Sequence, residues 1–295
     1  MLTEAQYAEQ QRRLGRRLHE HDGVWWEEIR RFYCKPAFVY KAFDRGSARP
    51  ARSRSWLGYS HPVPDAGQAN RFLPVMALPR ERLDGFGLPA LPQKKRNQVR
   101  RALERCEVRP LADVAACLER LREINLSQVR RHDQGGGSEV SARRYTAEAD
   151  AWREQMRSEA ALEGREWWGA FVDGVLAAYL RTFQVDGIRI IQQAKADTEQ
   201  LKACPMDALY FTVLSHAAAD PACRILFNGR PQHPSLNHYK EQFLFRADEL
   251  PYYSSHAGLV ELGKRALRLR QRLCRALRKA APPPAAEPDS GETGS

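Results

Sequence analysis

Three apolar runs stand out in "EWWGAFVDGVLAAYLRTFQVDGIRIIQQAKA", broken only by Asp173-Gly174 and Asp186-Gly187. Asp-Gly between strand-like runs is a strong hairpin signal, because both central positions of a type I′ turn need positive φ. The pattern predicts three antiparallel strands in a meander. Downstream, "PMDALYFTVLSHAAAD" predicts a helix from Pro205 that ends before Pro221. "CRILFNGR" then reads as a buried strand, "SLNHYKEQF" as a short helix and "LFRADELPYY" as a closing strand. Upstream, "PALPQKKRNQVRRALER" predicts a helix entered at Pro92, with Val99, Leu103 and Cys106 on its buried side. It gives way to an extended "CEVRPL". "ADVAACLERLREINLSQVRRH" and "TAEADAWREQMRSEAAL" predict two more helices, with "DQGGGSE" as a flexible loop between them. Residues 3 to 33 predict helix, interrupted near "HDGVWW". "SWLGYSHPV" and "NRFLPVMAL" predict short strands. Helices, a meander, then helix, strand, helix and strand make an α+β architecture. A buried strand reached through a helix implies a parallel neighbour.

Charge adds a second layer. The 295 residues carry a net +11, which favours polyanions or an anionic membrane surface as partners. Residues 258–280 hold 8 Lys and Arg against 1 acid. Leu259, Leu262, Ala266, Leu269, Leu273 and Ala276 give that segment one apolar stripe, so it predicts a basic amphipathic helix. Such a helix packs on the domain, lies on an anionic leaflet, or tracks RNA phosphates. The tail after it is Pro-rich and acidic and predicts disorder. The six cysteines form no C-x-x-C pair, which points to reduced thiols in a cytosolic protein. The N-terminal residues lack an apolar signal core, and no run approaches the roughly 18 apolar residues of a membrane span. The expected location is the cytoplasm, with contact at the inner membrane surface allowed by the basic segments.

Several motifs are absent: a Walker-type phosphate loop, a G-x-S-x-G elbow and an H-E-x-x-H pair. His19 and His21 in "HEH" lack a third ligand nearby, so no metal is expected. Two segments carry a resemblance. "KKRNQVRRALERCEVRPL" resembles the basic entry helix and short strand of FemAB-like proteins. "NGRPQHPSLNHYKEQFLFRADELP" resembles their closing segment, in which a short helix carries an aromatic-Lys pair. The order from about Leu91 to Tyr253 thus resembles the GNAT acyltransferase superfamily, most of all its FemAB-like branch. The resemblance implies a mixed, mostly antiparallel sheet with a splayed parallel strand pair, flanked by helices. It divides the chain into a 1–90 region, read as a truncated or degenerate first half, a 91–255 acyltransferase domain, a 256–281 basic helix and a 282–295 tail.

What the resemblance implies about chemistry is acyl or aminoacyl transfer onto an amine, the acceptor being a cell-wall or exopolysaccharide precursor. The donor is an acyl-CoA or an aminoacyl-tRNA. GNAT enzymes that use acyl-CoA commonly hold its pyrophosphate on a glycine loop opening a helix. Here that stretch, "KADTEQLKACPMDALY", has no glycine, which predicts weak or no acetyl-CoA binding. Ligands in such sheets sit where strands diverge at their carboxyl ends. That places Gln192, Gln193 and Lys195 on one wall and Asn228 and Arg230 on the other. Tyr239 and Lys240 stand as catalytic candidates, and Arg96 and Arg100 as phosphate-binding ones. Gln193 and Asn228 read equally as orienting groups or as satisfied strand ends. Lys240 reads equally as a site residue or as a stem laid over Phe243 and Phe245 with its amine in water. Glu241, His216 and His238 are general-base candidates by residue type alone. Two other readings remain open: a non-catalytic RNA- or membrane-binding module on the same fold, and an interaction protein with a degenerate site.

Overall fold

The computed structural model describes residues 1–133 and 142–256. The expected C-terminal helix and tail, Cys274 and the glycine-rich loop after Asp133 lie outside the described residues. In chain order the elements are α1 (Glu4–Arg13), β1 (Leu18–His21), β2 (Val24–Arg30), β3 (Tyr33–Pro36), β4 (Gly58–Pro62), β5 (Arg71–Pro79) and α2 (Arg80–Leu83). Then come α3 (Gln93–Arg105), β6 (Glu107–Pro110), α4 (Leu118–Asp133), α5 (Ala149–Ala160), β7 (Arg165–Val172), β8 (Val175–Val185) and β9 (Ile188–Ala196). The chain finishes with α6 (Pro205–Ala219), β10 (Ile225–Phe227), α7 (Pro234–Glu241) and β11 (Arg246–Ser254). The strands make one open mixed sheet in the order β1-β2-β3-β4-β11-β5-β10-β9-β8-β7-β6.

The meander forms as predicted. β7, β8 and β9 pair antiparallel, and Asp173, Gly174, Asp186 and Gly187 all take positive φ. At Gly187 no side chain fits, since an added Cβ would meet the Ala222 carbonyl at 2.8 Å. β10 runs parallel to β9, as the helix between them requires.

The N-terminal region departs from expectation. Helix ends at Arg13, after a capping box in which Thr3 and Gln6 satisfy each other's backbone N–H groups. Residues 18–36 form three strands instead. The "HDGVWW" break is a hairpin, with φ of 52° at Asp22 and 70° at Gly23. Val24 and Trp26 alternate into the core, a period of two that a helix cannot use. β5, from the same N-terminal region, is threaded between β10 and β11.

Helices cover both faces of the sheet around the meander. On one face α3 and α6 pack on Ala178 and Leu180 of β8. On the other, α4 and α5 pack on Trp167 of β7 and Tyr179 of β8. The buried stripe of α3 is Lys95, Val99 and Ala102. Leu103, expected inside, is exposed, because the stripe runs one residue earlier and begins at a lysine. The described cysteines are all free thiols.

Candidate functional site

The site begins where β9 and β10 part. They pair only over Ile188–Ile190 and Ile225–Phe227. Beyond that point β9 continues to Ala196 paired with β8 alone. The chain leaving β10 turns the other way, toward β5: Asn228 N–H donates to Met76 O and Met76 N–H to Gly229 O, both at 2.9 Å. A β-bulge between Arg181 and Thr182 adds Gln192 to β9 as an extra residue at the opening. Bulges of this kind re-aim side chains beside functional sites. The gap opens into a cavity of about 660 Å3 with walls on both faces of the sheet.

On the α6–α7 face the cavity meets Tyr210, Tyr239, Lys240 and Asn228. Lys240 is 4% exposed. Its ammonium donates to the Asn228 carbonyl at 2.7 Å, and no carboxylate pairs with it among the described residues. Burial pushes its pKa below the ordinary lysine value. The Asn228 side chain donates to the Tyr210 hydroxyl at 3.0 Å, so Asn228 is held at both its carbonyl and its amide. The Tyr239 hydroxyl is buried beside the Asp207 carboxylate and makes no hydrogen bond of ordinary geometry. Burial, then the nearby charge of Asp207, pushes that phenol well above its usual range. It therefore stays protonated, as a donor. Asp207 also holds a buried ion pair with Lys95 at 3.0 Å. The Lys95 ammonium lies over the rings of Tyr239 and Phe243, at 4.6 and 5.2 Å from their centroids. That pair ties α3 to α6 beneath Tyr239.

On the α4–α5 face the lining includes Gln128, Arg131, Arg144, Glu159, Arg181 and Lys195. Arg181 is 6% exposed. It pairs with Glu159 and lies over Trp167, 5.0 Å from the ring centroid. Burial, then the charge of Arg144, pushes its pKa down to about 10. Sequence reasoning missed Arg181 and Glu159. A lone arginine inside the apolar run "LAAYLRTFQV" was the available signal, since burying a charge demands a partner.

Seven expected residues share this cavity: Gln192, Gln193, Lys195, Asn228, Arg230, Tyr239 and Lys240. Arg96 and Arg100 do not line it. Arg96 donates to the Pro89 and Leu91 carbonyls, fastening the entry to α3, and Arg100 is exposed on that helix. The amine of Lys240 is not in water, because the side chain turns inward to Asn228. Of the three general-base candidates, Glu241 and His238 are exposed on α7. His216 sits at the opposite end of the sheet, accepting from Arg189 at 3.3 Å. None of the three lines the cavity; among the described residues the lining carboxylate is Glu159.

The turn into α6, where a glycine loop was sought, is built differently. Cys204 takes φ of 55° before Pro205 opens the helix, and Asp207 stands in the first turn. A carboxylate there already uses the positive end of the helix dipole. Among the described residues no three His, Cys, Asp or Glu side chains converge to hold a metal ion.

No protein-family model matches the chain, and no curated protein does. Solved structures do. A crystal structure of FemX aligns with a TM-score of 0.57 at 9% identity, over 84% of this chain and 90% of that one. The C-terminal domain of an Agrobacterium fabrum protein provisionally assigned as a lysylphosphatidylglycerol synthetase aligns with a TM-score of 0.54 at 10% identity. That match covers 88% of this chain and 95% of the other. At such identities the likeness is one of fold.

Proposed function

We propose that the chain, which has the GNAT-like fold of Fem-type acyltransferases, transfers an acyl or aminoacyl group to an amine. The acceptor on this reading is a cell-wall or exopolysaccharide precursor. The supporting observation is the pair of under-used donors on one wall of the strand opening. Lys240 gives one of its three N–H bonds to Asn228, and the Tyr239 hydroxyl, beside the Asp207 carboxylate, makes no hydrogen bond of ordinary geometry.

Acyl transfer needs donors aimed at a developing oxyanion. The amine nitrogen attacks the acyl carbonyl carbon, and negative charge collects on the carbonyl oxygen. Lys240 and Tyr239 are the residues that would hold that oxygen. The bond from the acyl carbon to its carrier oxygen or sulfur then breaks. The carrier leaves with the electron pair and is protonated, and the amine gives up a proton as the amide forms. Restricted motion of both reactants inside the cavity supplies the rest, by orientation.

The donor is better supported as an aminoacyl ester on RNA than as acyl-CoA, because Asp207 occupies the helix start where a pyrophosphate would bind. The exposed side of α3 supports a polyanionic carrier. Lys94, Asn97, Arg100, Arg101 and Arg105 are exposed there, and Arg105 donates to the Lys202 carbonyl beside Leu201, which lines the cavity. On this reading the chain works in the cytoplasm, where such a carrier is found.

The test offers the purified full-length protein two donors, aminoacyl-tRNA and acetyl-CoA, with a primary amine, and follows new amide by mass spectrometry. Amide formed from the RNA ester, with acetyl-CoA binding weaker than micromolar by calorimetry, is the expected result. Transfer from neither donor by a folded protein overturns the catalytic reading. Micromolar acetyl-CoA affinity overturns the choice of donor.

A further inference from the structure

The two sides of the cavity differ in charge. The α6–α7 side carries the aromatic rings and Lys240. The α4–α5 side gathers four cations, Arg131, Arg144, Arg181 and Lys195, against one described carboxylate, Glu159. Glu159 is spent on Arg181. Lys195 faces no carboxylate among the described residues. Its nearest charge is another cation, Arg131, and that charge adds to burial in pushing the lysine pKa down.

Like charges collected in a half-enclosed space repel, and the repulsion grows as water is excluded. A fold keeps such a cluster only at a cost in stability, unless an anion joins it. One buried donor beside this lobe lacks a partner, the Arg181 Nε–H. Arg181 is nine-tenths buried and borders the lobe, so a ligand oxygen would supply the missing acceptor. The Arg144 guanidinium is steadied by Gln155 at 2.9 Å, which holds a planar fork at the rim. A fork of N–H donors matches a carboxylate or phosphate. A cationic group, such as a lysyl side chain, would meet four like charges here.

We infer that the α4–α5 lobe is a recognition subsite for an oxyanion, a carboxylate or phosphate carried by one of the two reactants, with Lys195, Arg131 and Arg144 setting its specificity. This deepens the transfer reading by naming the charge of a reactant, and its test reads binding alone. Inorganic pyrophosphate and succinate are titrated calorimetrically into the full-length protein and into Lys195→Met, Arg144→Gln and Arg246→Gln. Arg246 is exposed on β11 and controls for net charge. Thermal unfolding confirms that each variant is folded.

At least one anion should bind the parent protein. Lys195→Met and Arg144→Gln should each weaken it about tenfold, a modest loss for one cation of a partly enclosed site. Arg246→Gln should leave it within about twofold. Pyrophosphate alone identifies a phosphate group, succinate alone a carboxylate, and both together a general oxyanion site. If neither anion binds, or if Lys195→Met binds as well as Arg246→Gln, the subsite does not exist. That failure leaves transfer chemistry at Lys240 standing, just as an inactive protein that still binds anions would leave this subsite standing.

Discussion

Two buried cations, Arg189 and Lys240, lie near opposite ends of the β9–β10 pair and are treated very differently. At the amino end Arg189 is 3% exposed. Its guanidinium donates to Gln184 at 2.8 Å, to Glu166 and Asp220 at 3.3 to 3.4 Å, and to the ring nitrogen of His216 at 3.3 Å. At the carboxyl end Lys240 is as deeply buried and has one carbonyl. The strands are zipped at the first end and open at the second. A saturated buried charge holds structure together. An under-coordinated one beside a cavity has donors left for something that arrives later.

The comparison breaks first at Arg189. Arg189→Met strands two carboxylates in a partly buried setting, so urea unfolding should show a loss of about 3 kcal/mol. Transfer by the fraction that remains folded should be unchanged. A variant with parental stability would show that the network contributes nothing net.

Lys240→Met should do the reverse. It keeps the stem and removes the ammonium, and transfer should fall about a hundredfold, the usual loss for one preorganised donor. Stability should move by no more than about 1 kcal/mol, because a desolvated charge is relieved while the Asn228 carbonyl loses its partner. Normal turnover in this variant would return Lys240 to a packing role. The pH profile sharpens the point. Burial lowers the pKa of Lys240 from 10.5, so the ammonium, and with it activity, is complete below the lowered value. Activity falls as pH rises through it, before 10.5 is reached. Stability moves oppositely, because over that window the unfolded chain binds more protons, and it rises with pH. A rate that stays level to pH 10.5 would exclude an ammonium donor.

The smallest effect is expected at Tyr239. Tyr239→Phe removes only a donor, and turnover should drop about tenfold, less than for a charged one. Removing a buried hydroxyl that makes no hydrogen bond of ordinary geometry should leave thermal stability level or slightly higher. A fall in stability equal to the fall in rate would make the phenol structural.

The carboxyl-end opening was the more legible part of the chain. Two Asp-Gly turns fix the meander, and a helix between β9 and β10 forces them parallel, so Gln192, Gln193 and Lys195 face Asn228 and Arg230 by topology alone. Lys240 was legible as an odd residue among aromatics, though not as a buried one, because sequence does not show which way a long stem folds back. The residues that escaped act through distant partners. Lys95 reads as one more cation in "QKKRNQ" until α6 brings Asp207 beneath it. Arg181 needs Glu159 from a helix that is distant along the chain. The N-terminal strands escaped for a different reason. "HDGVWW" carries the same Asp-Gly signal as the meander, but its flanks are charged enough to suit a helix equally well.

The hold of β5 on the chain leaving β10 has its own result. Met76 clasps Asn228 and Gly229 from the side away from β9, so the aperture is a built feature of the sheet, like a doorway framed when the wall goes up. No strand has to peel away before a reactant enters. The free energy of parting two paired strands is absorbed once, during folding, and not again each time a ligand enters.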